Sequence, residues 1–187
     1  MDFDLVRSDR KTLSAEIRNA RLLIRAPRNA SRDEITRFIM QNRQWIEKHL
    51  AKAAAAEKEK EGIRKLPPEE IRALAEKARE LIPERVAFFA GKIGVTYGKI
   101  TIRLQRTRWG SCSAQGNLNF NCLLMLTPPE VLDSVIVHEL CHRKEMNHSR
   151  KFYAEIARVM PDYPECRKWL KENGGRILAM VDTQAPE

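Results

Sequence analysis

The sequence predicts a mixed α+β chain. Three observations carry that expectation: β-forming segments near the N-terminus and again past residue 100, long amphipathic helices with recognisable starts, and one helix, apolar nearly all round, that contains His138-Glu139-Leu140-Cys141-His142. With 187 residues, 43% of them hydrophobic, the chain can bury a real core. No apolar stretch reaches the roughly 20 residues of a membrane span, and Met1-Asp2-Phe3-Asp4 does not begin a basic-then-apolar leader. A cytoplasmic protein without a membrane partner is expected.

Taken in order, Leu13 to Ile17 and Leu22 to Arg25 are β-rich and flank the turn-prone Arg18-Asn19-Ala20, which predicts a hairpin. Ser31-Arg32-Asp33-Glu34 is a capping box and starts a helix. In that helix Ile35, Phe38, Ile39, Asn42, Trp45, Ile46, His49 and Leu50 recur at helical spacing and should pack as one face. From Ala51 to Lys65 the chain is mostly Ala, Glu and Lys, a helical spacer with little to bury.

Pro67-Pro68-Glu69-Glu70 opens a second long helix with Ile71, Leu74, Ala75, Ala78, Leu81 and Ile82 on one face, which Pro83 should kink and Gly91 to Gly94 should end. Ile100 to Leu104 and Leu118 to Leu126 are strand candidates around the tight segment Arg108 to Ser113, together a small antiparallel sheet. Thr127-Pro128-Pro129-Glu130 is a second capping box, leading into the apolar helix with Val131, Leu132, Val135, Ile136, Val137 and Leu140. Another helix runs from Ser149 to Pro161, and a last one stops at Gly174-Gly175. The expected division is a hairpin and long helix over 1–65, a catalytic domain over 66–175 and a loosely ordered tail over 176–187.

His138-Glu139-Leu140-Cys141-His142 matches HExxH, whose two histidines share a helix face and aim at one point. A catalytic zinc site needs a third protein ligand and an open position for water, and His148 is the candidate. The chain has four histidines and three of them fall between residues 138 and 148, with Glu139 where a general base is required. Five residues separate His142 from His148, as in the metzincin pattern, yet Glu145 replaces its glycine. Asn147 is then the residue best suited to a left-handed turn. Glu155 is the alternative third ligand.

Cys112, Cys122, Cys141 and Cys166 form no C-x-x-C pair and should stay reduced, although Cys112 would be the natural fourth ligand of a purely structural zinc site. Lys and Arg outnumber Asp and Glu by 34 to 25, a net charge of +9 and a pI near 9.6. The charges are spread through helices, which fits solvated faces better than a nucleic-acid-binding module.

Arg108-Trp109-Gly110-Ser111-Cys112-Ser113, the strand bearing Asn121, the HExxH helix, Asn147-His148-Ser149 and Pro161-Asp162-Tyr163 together resemble the YgjP-like metallopeptidase family, distantly related to SprT-like and other minimal zincins. Including the Arg10-Lys11 hairpin and the Trp45-Ile46 helix, the resemblance spans about residues 5 to 175. It implies a minimal-zincin-like domain, zinc on His138, His142 and His148, catalytic Glu139, and a peptide or a nucleotide as substrate, because members are described both as metallopeptidase-like hydrolases and as UTP pyrophosphatases. The chain departs from the family pattern at Leu123, Ser134 and Tyr153, where arginine, tyrosine and a Phe-Trp pair are expected.

Arg108, Trp109, Asn121 and Tyr153 form the expected substrate-binding set, with Arg108 and Arg143 available to an anion. The alternative for the first pair is that Trp109 plugs the core and Arg108 pairs with an acid such as Asp162. The strand from Leu118 to Leu126 is expected at a sheet edge, where an extended peptide can add a strand.

Overall fold

The structure, a computed structural model, describes residues 2–18, 20–60 and 62–181. The chain divides into two compact units, Met1–Gly62 and Ile63–Glu187.

In the first unit β1 (Phe3–Ser8), β2 (Ser14–Arg18) and β3 (Arg21–Pro27) form a sheet in the order β1-β3-β2. The expected hairpin is present as antiparallel β2 and β3, from Ser14 opposite Arg25 to Arg18 opposite Arg21. Asn19 of its turn lies outside the described residues, and Ala20 takes a φ of 55°. The sequence reading missed β1, which runs parallel to β3 and pairs Phe3 with Leu22. Alternate residues of β3, Leu22, Ile24 and Ala26, face inward with Ile35 and Ile46.

The Ser31 capping box is fully formed: Ser31 Oγ accepts from the Glu34 amide at 3.2 Å, and the Ser31 amide donates to Glu34 Oε2 at 2.7 Å. The single helix expected after it is two, α1 (Arg32–Gln41) and α2 (Arg43–Lys60). They part at Asn42, whose side-chain amide donates back to the Phe38 carbonyl at 2.8 Å, the local competition by which asparagine disfavours helix interiors. Trp45, expected on the packed face, is 43% exposed and stacks on His49.

In the second unit α3 (Pro68–Ile93) continues through Pro83 and ends on left-handed Gly94 at φ 77°. Ala78, Ile82, Val86, Phe89, Ala90 and Ile93 form its buried stripe, while Leu81, expected there, is 37% exposed. The sheet that follows holds β4 (Ile100–Arg103), β5 (Gly110–Cys112) and β6 (Leu118–Asn121) in the order β4-β6-β5. It is mixed rather than antiparallel, since β4 runs parallel to β6. The strand expected over Leu118 to Leu126 stops at Asn121 and tightens into a 3-10 helix over Cys122–Leu126. β6 is the middle strand, so it offers no edge to a peptide.

The apolar helix α4 (Pro129–Cys141) is central, packed by α3, α5 (Arg150–Val159), α6 (Tyr163–Leu178) and β5. Its expected capping box is absent: Thr127 Oγ1 donates instead to the Leu124 carbonyl at 2.8 Å, closing the preceding turn. Arg85 of α3 clamps Asp133 of α4 through Nε at 2.8 Å and a second nitrogen at 2.6 Å. The last helix does not stop at Gly174-Gly175. Gly174 is buried against the Trp109 indole, where a Cβ would come within 3.1 Å of the ring, so packing overrides glycine's poor helix propensity. Val181 is buried as well, and the remainder of the expected tail, 182–187, lies outside the described residues. All four cysteines are free. Among the described residues no helix is long and apolar enough to cross a membrane.

Candidate metal centre

One helical turn of α4 places His138 and His142 side by side, with ring centroids 5.0 Å apart. The chain then leaves the helix in a bend that begins with the Arg143 amide on the Leu140 carbonyl and ends with the Ser149 amide on the Asn147 carbonyl. Asn147 is not left-handed; Ala20 is the one non-glycine residue with positive φ among those described. The bend is tied down from outside, because Arg143 donates to the carbonyls of Thr96 at 3.0 Å and Ala114 at 3.1 Å. Arg143 thus directs its Nε and one terminal nitrogen to the backbone. Ser149 then caps α5 by accepting from the Phe152 amide.

The bend returns His148 to the helix. One ligand atom from each of His138, His142 and His148 lies within 4.8 Å of the others, and His138 Nε2 stands 3.1 Å from His148 Nε2. Two of the far nitrogens are already engaged. His142 Nδ1 faces the Glu145 carbonyl oxygen at 3.2 Å and must therefore carry its proton, which leaves Nε2 a bare lone pair. His138 Nδ1 lies 2.8 Å from the Tyr163 hydroxyl. Three imidazole nitrogens converging on a point, two of them on rings whose outer nitrogens are held, fit a divalent cation with a position left open. Burial, then the two neighbouring imidazoles, lowers His138 to about 4 and keeps it neutral; burial lowers His142 too.

Glu155, the alternative ligand, is spent on Lys144 and Arg158, each at 2.6 Å. Among the described residues Cys112 does not join the cluster. Its thiol is raised by burial and then by Glu139.

Glu139, on the same helix, is 6% exposed. Burial raises its carboxyl to about 7, against the nearby Arg108 charge, which lowers it. It rests against β5 at Gly110, where a Cβ would fall 2.8 Å from both Glu139 Cγ and Oε1. Gly110 thus gives Glu139 its place. Gly110→Ala is expected to displace the carboxylate and lower turnover about 10²-fold with metal affinity little changed, as steady-state kinetics and metal titration on one preparation would show.

Beside these groups lies a cavity of about 190 Å³. Trp109, Val135 and Leu170 give it apolar walls, and Ser134, Tyr163 and Arg167 add polar groups next to His138 and Glu139. Trp109 lines the cavity and also packs against the core. No ion pair joins Arg108 to Asp162 among the described residues. Tyr153 sits near the site, its ring 6.4 Å from that of His148. Asn121 does not reach it: fully buried, it donates to the Gln105 carbonyl at 2.6 Å and the Arg108 carbonyl at 3.0 Å and accepts from the Leu123 amide. Its work is to shape the loop that carries Arg108.

Sequence reasoning missed Gly110, Tyr163 and Arg167 as site residues. A signal existed, because Tyr163, Arg167, Leu170 and Gly174 recur at helical spacing on one stripe of α6. Burial raises the Tyr163 phenol to about 12, so it stays protonated and can hold His138. Tyr163→Phe should weaken metal binding about 10–100-fold without unfolding the protein, which competition with a chelating dye would measure.

The sequence profile described as YgjP-like, metallopeptidase domain, matches residues 11–71 and 64–173. Two solved structures are similar to about half of the chain. The metallopeptidase zymogen of Pyrococcus abyssi abylysin is 19% identical with a TM-score of 0.45, over 49% of this chain and 94% of its own. The metallopeptidase zymogen of Methanocaldococcus jannaschii jannalysin is 22% identical with a TM-score of 0.44, over 49% of this chain and 95% of its own. No curated protein matches the chain.

Proposed function

The chain belongs to the YgjP-like metallopeptidase-domain family, and from that membership we propose that it is a zinc-dependent hydrolase of peptide bonds, with His138, His142 and His148 as ligands and Glu139 as general base. The convergence of three imidazole nitrogens within 4.8 Å carries this reading. Three imidazole nitrogens with an open position suit zinc, and a hard, oxygen-preferring cation would be a poor match. Bound there, zinc would polarise a substrate carbonyl and bring the pKa of water down to about 7.

The chain's own residues do the rest. Glu139, raised to about 7, is close enough to neutrality to take a proton from the attacking water and return it to the leaving amine. Gly110 holds its carboxylate in place, and Tyr163 fixes the orientation of His138. Trp109, Val135 and Leu170 keep bulk water from one side of the site. β6 is enclosed by its two neighbours, so an extended substrate would add to the outer strand β5, which carries Gly110.

Peptide is favoured over UTP by the fate of the arginines. A triphosphate calls for several cations on one anion; of the two arginines expected there Arg143 directs two nitrogens to the Thr96 and Ala114 carbonyls, and Arg167 is the one Lys or Arg that lines the cavity. Incubating the zinc-loaded protein separately with an unfolded protein and with UTP tests the reading. New peptide termini are expected, and none with Glu139→Gln. Pyrophosphate release that Glu139→Gln retains, with no peptide cut, would overturn both substrate and mechanism.

A further inference from the structure

The stripe of α6 that faces the cavity places one charged side chain at it. Tyr163, Arg167 and Leu170 lie on successive turns, and Arg167 is the one Lys or Arg side chain that lines this cavity. Lys144 and Arg158 share Glu155, and Arg85 holds Asp133; Arg108, whose charge reaches Glu139, is not among the residues that line the cavity. Arg167 makes no ion pair among the described residues. Its guanidinium lies over the Tyr153 ring, 5.7 Å from the centroid, a contact that orients the group without neutralising it.

Two features describe what would satisfy it. The cavity, about 190 Å³, is smaller than the roughly 300 Å³ at which pockets for drug-sized ligands begin. It has room for one side chain, and Trp109, Val135 and Leu170 make that side chain apolar. A single guanidinium beside an apolar recess suits one planar carboxylate, bound through paired N–H donors. In a peptide, an apolar side chain and a carboxylate occur together on the C-terminal residue.

Resting on the hydrolase reading above, we propose that Arg167 determines specificity by binding a substrate carboxylate, that of an apolar C-terminal residue whose side chain fills the cavity between Trp109, Val135 and Leu170. Cleavage would then fall close to the end of a chain.

The test is binding of small probes to the chelator-treated protein, which separates it from turnover and from any direct contact of the carboxylate with metal. N-acetyl-phenylalanine, its amide and N-acetyl-glutamic α-amide would be titrated against the full chain by NMR. The free acid is expected to bind about 10-fold tighter than the amide. That preference should vanish in Arg167→Gln and return in part in Arg167→Lys, whose charge lacks the planar fork. A glutamic probe that binds as tightly as the phenylalanine acid, with the same dependence on Arg167, would assign the carboxylate to an acidic side chain instead of the chain end. Equal binding of acid and amide, no binding of either, or a preference that survives Arg167→Gln would overturn the proposal. If the zinc form cuts free-acid and amidated peptides alike, the hydrolase reading stands and this inference fails.

Discussion

Glu139→Gln is expected to lower peptide hydrolysis by about 10²–10⁴-fold and, in the metal-free protein near neutral to mildly alkaline pH, to raise stability. The sign follows from burial. The Glu139 carboxyl is raised from 4.5 to about 7 in the folded chain, so its contribution is fully favourable below the unfolded value and is lost as pH rises through about 7. Above that, an ionised carboxylate is held out of water at a cost of about 3 kcal/mol, and the neutral amide removes it. His138 has the opposite slope. Lowered from 6.5 to about 4, it contributes stability above its unfolded value that is lost as pH falls through the folded one. Between about 4.5 and 6.5 the two largely cancel, so the native metal-free protein should keep there only the gentler rise with pH that the lowered His142 contributes. Glu139→Gln should uncover the His138 slope. Urea denaturation across a pH series reads both effects, and a variant no more stable than wild type at about pH 8 would reject the burial penalty.

His148→Ala and His142→Ala should both lose metal, by more than the roughly 10–100-fold that removing an outer partner costs, but they should differ in the metal-free state. His148 is exposed, so its truncation is expected to change stability by no more than about 0.5 kcal/mol. His142 is 9% exposed and stacks on Phe152 with centroids 4.6 Å apart. Its truncation should cost about 1–3 kcal/mol. Chelating the wild type should lower stability by about 3–4 kcal/mol where free metal had stood at 100–1,000 times its Kd. The α-helical signal should persist, since the second unit's core of Phe120, Leu123, Ile136, Leu140 and Phe152 owes nothing to a ligand. Collapse of far-UV ellipticity on chelation would instead indicate a structural metal.

The histidine cluster was legible because the spacing His138 to His142 is a property of one helix, and His148 is too near in sequence to go far. The Ser31 capping box was legible for the same reason. What long-range pairing decides was not. β1 contributes exposed residues and becomes a strand only by pairing with β3, and β6 became the middle strand because β4 approaches it in parallel. Thr127 had a capping box's spelling and used its hydroxyl on the turn behind it. Asn42 kept the hydrophobic period intact while ending the helix, so periodicity alone could not reveal the break. Tyr163 and Arg167 went unnoticed as site residues because α6 comes to His138 only through folding.

The three converging imidazole nitrogens are unequally mounted. Two stand on α4, a rod packed on several sides; the third rides on a solvent-washed bend between two helices. A metal held there would therefore have a door. Ion capture and escape should proceed by swinging His148 aside, at a rate governed by that bend and far faster than global unfolding, and tightening the bend would slow exchange in both directions while leaving the equilibrium affinity nearly where it was.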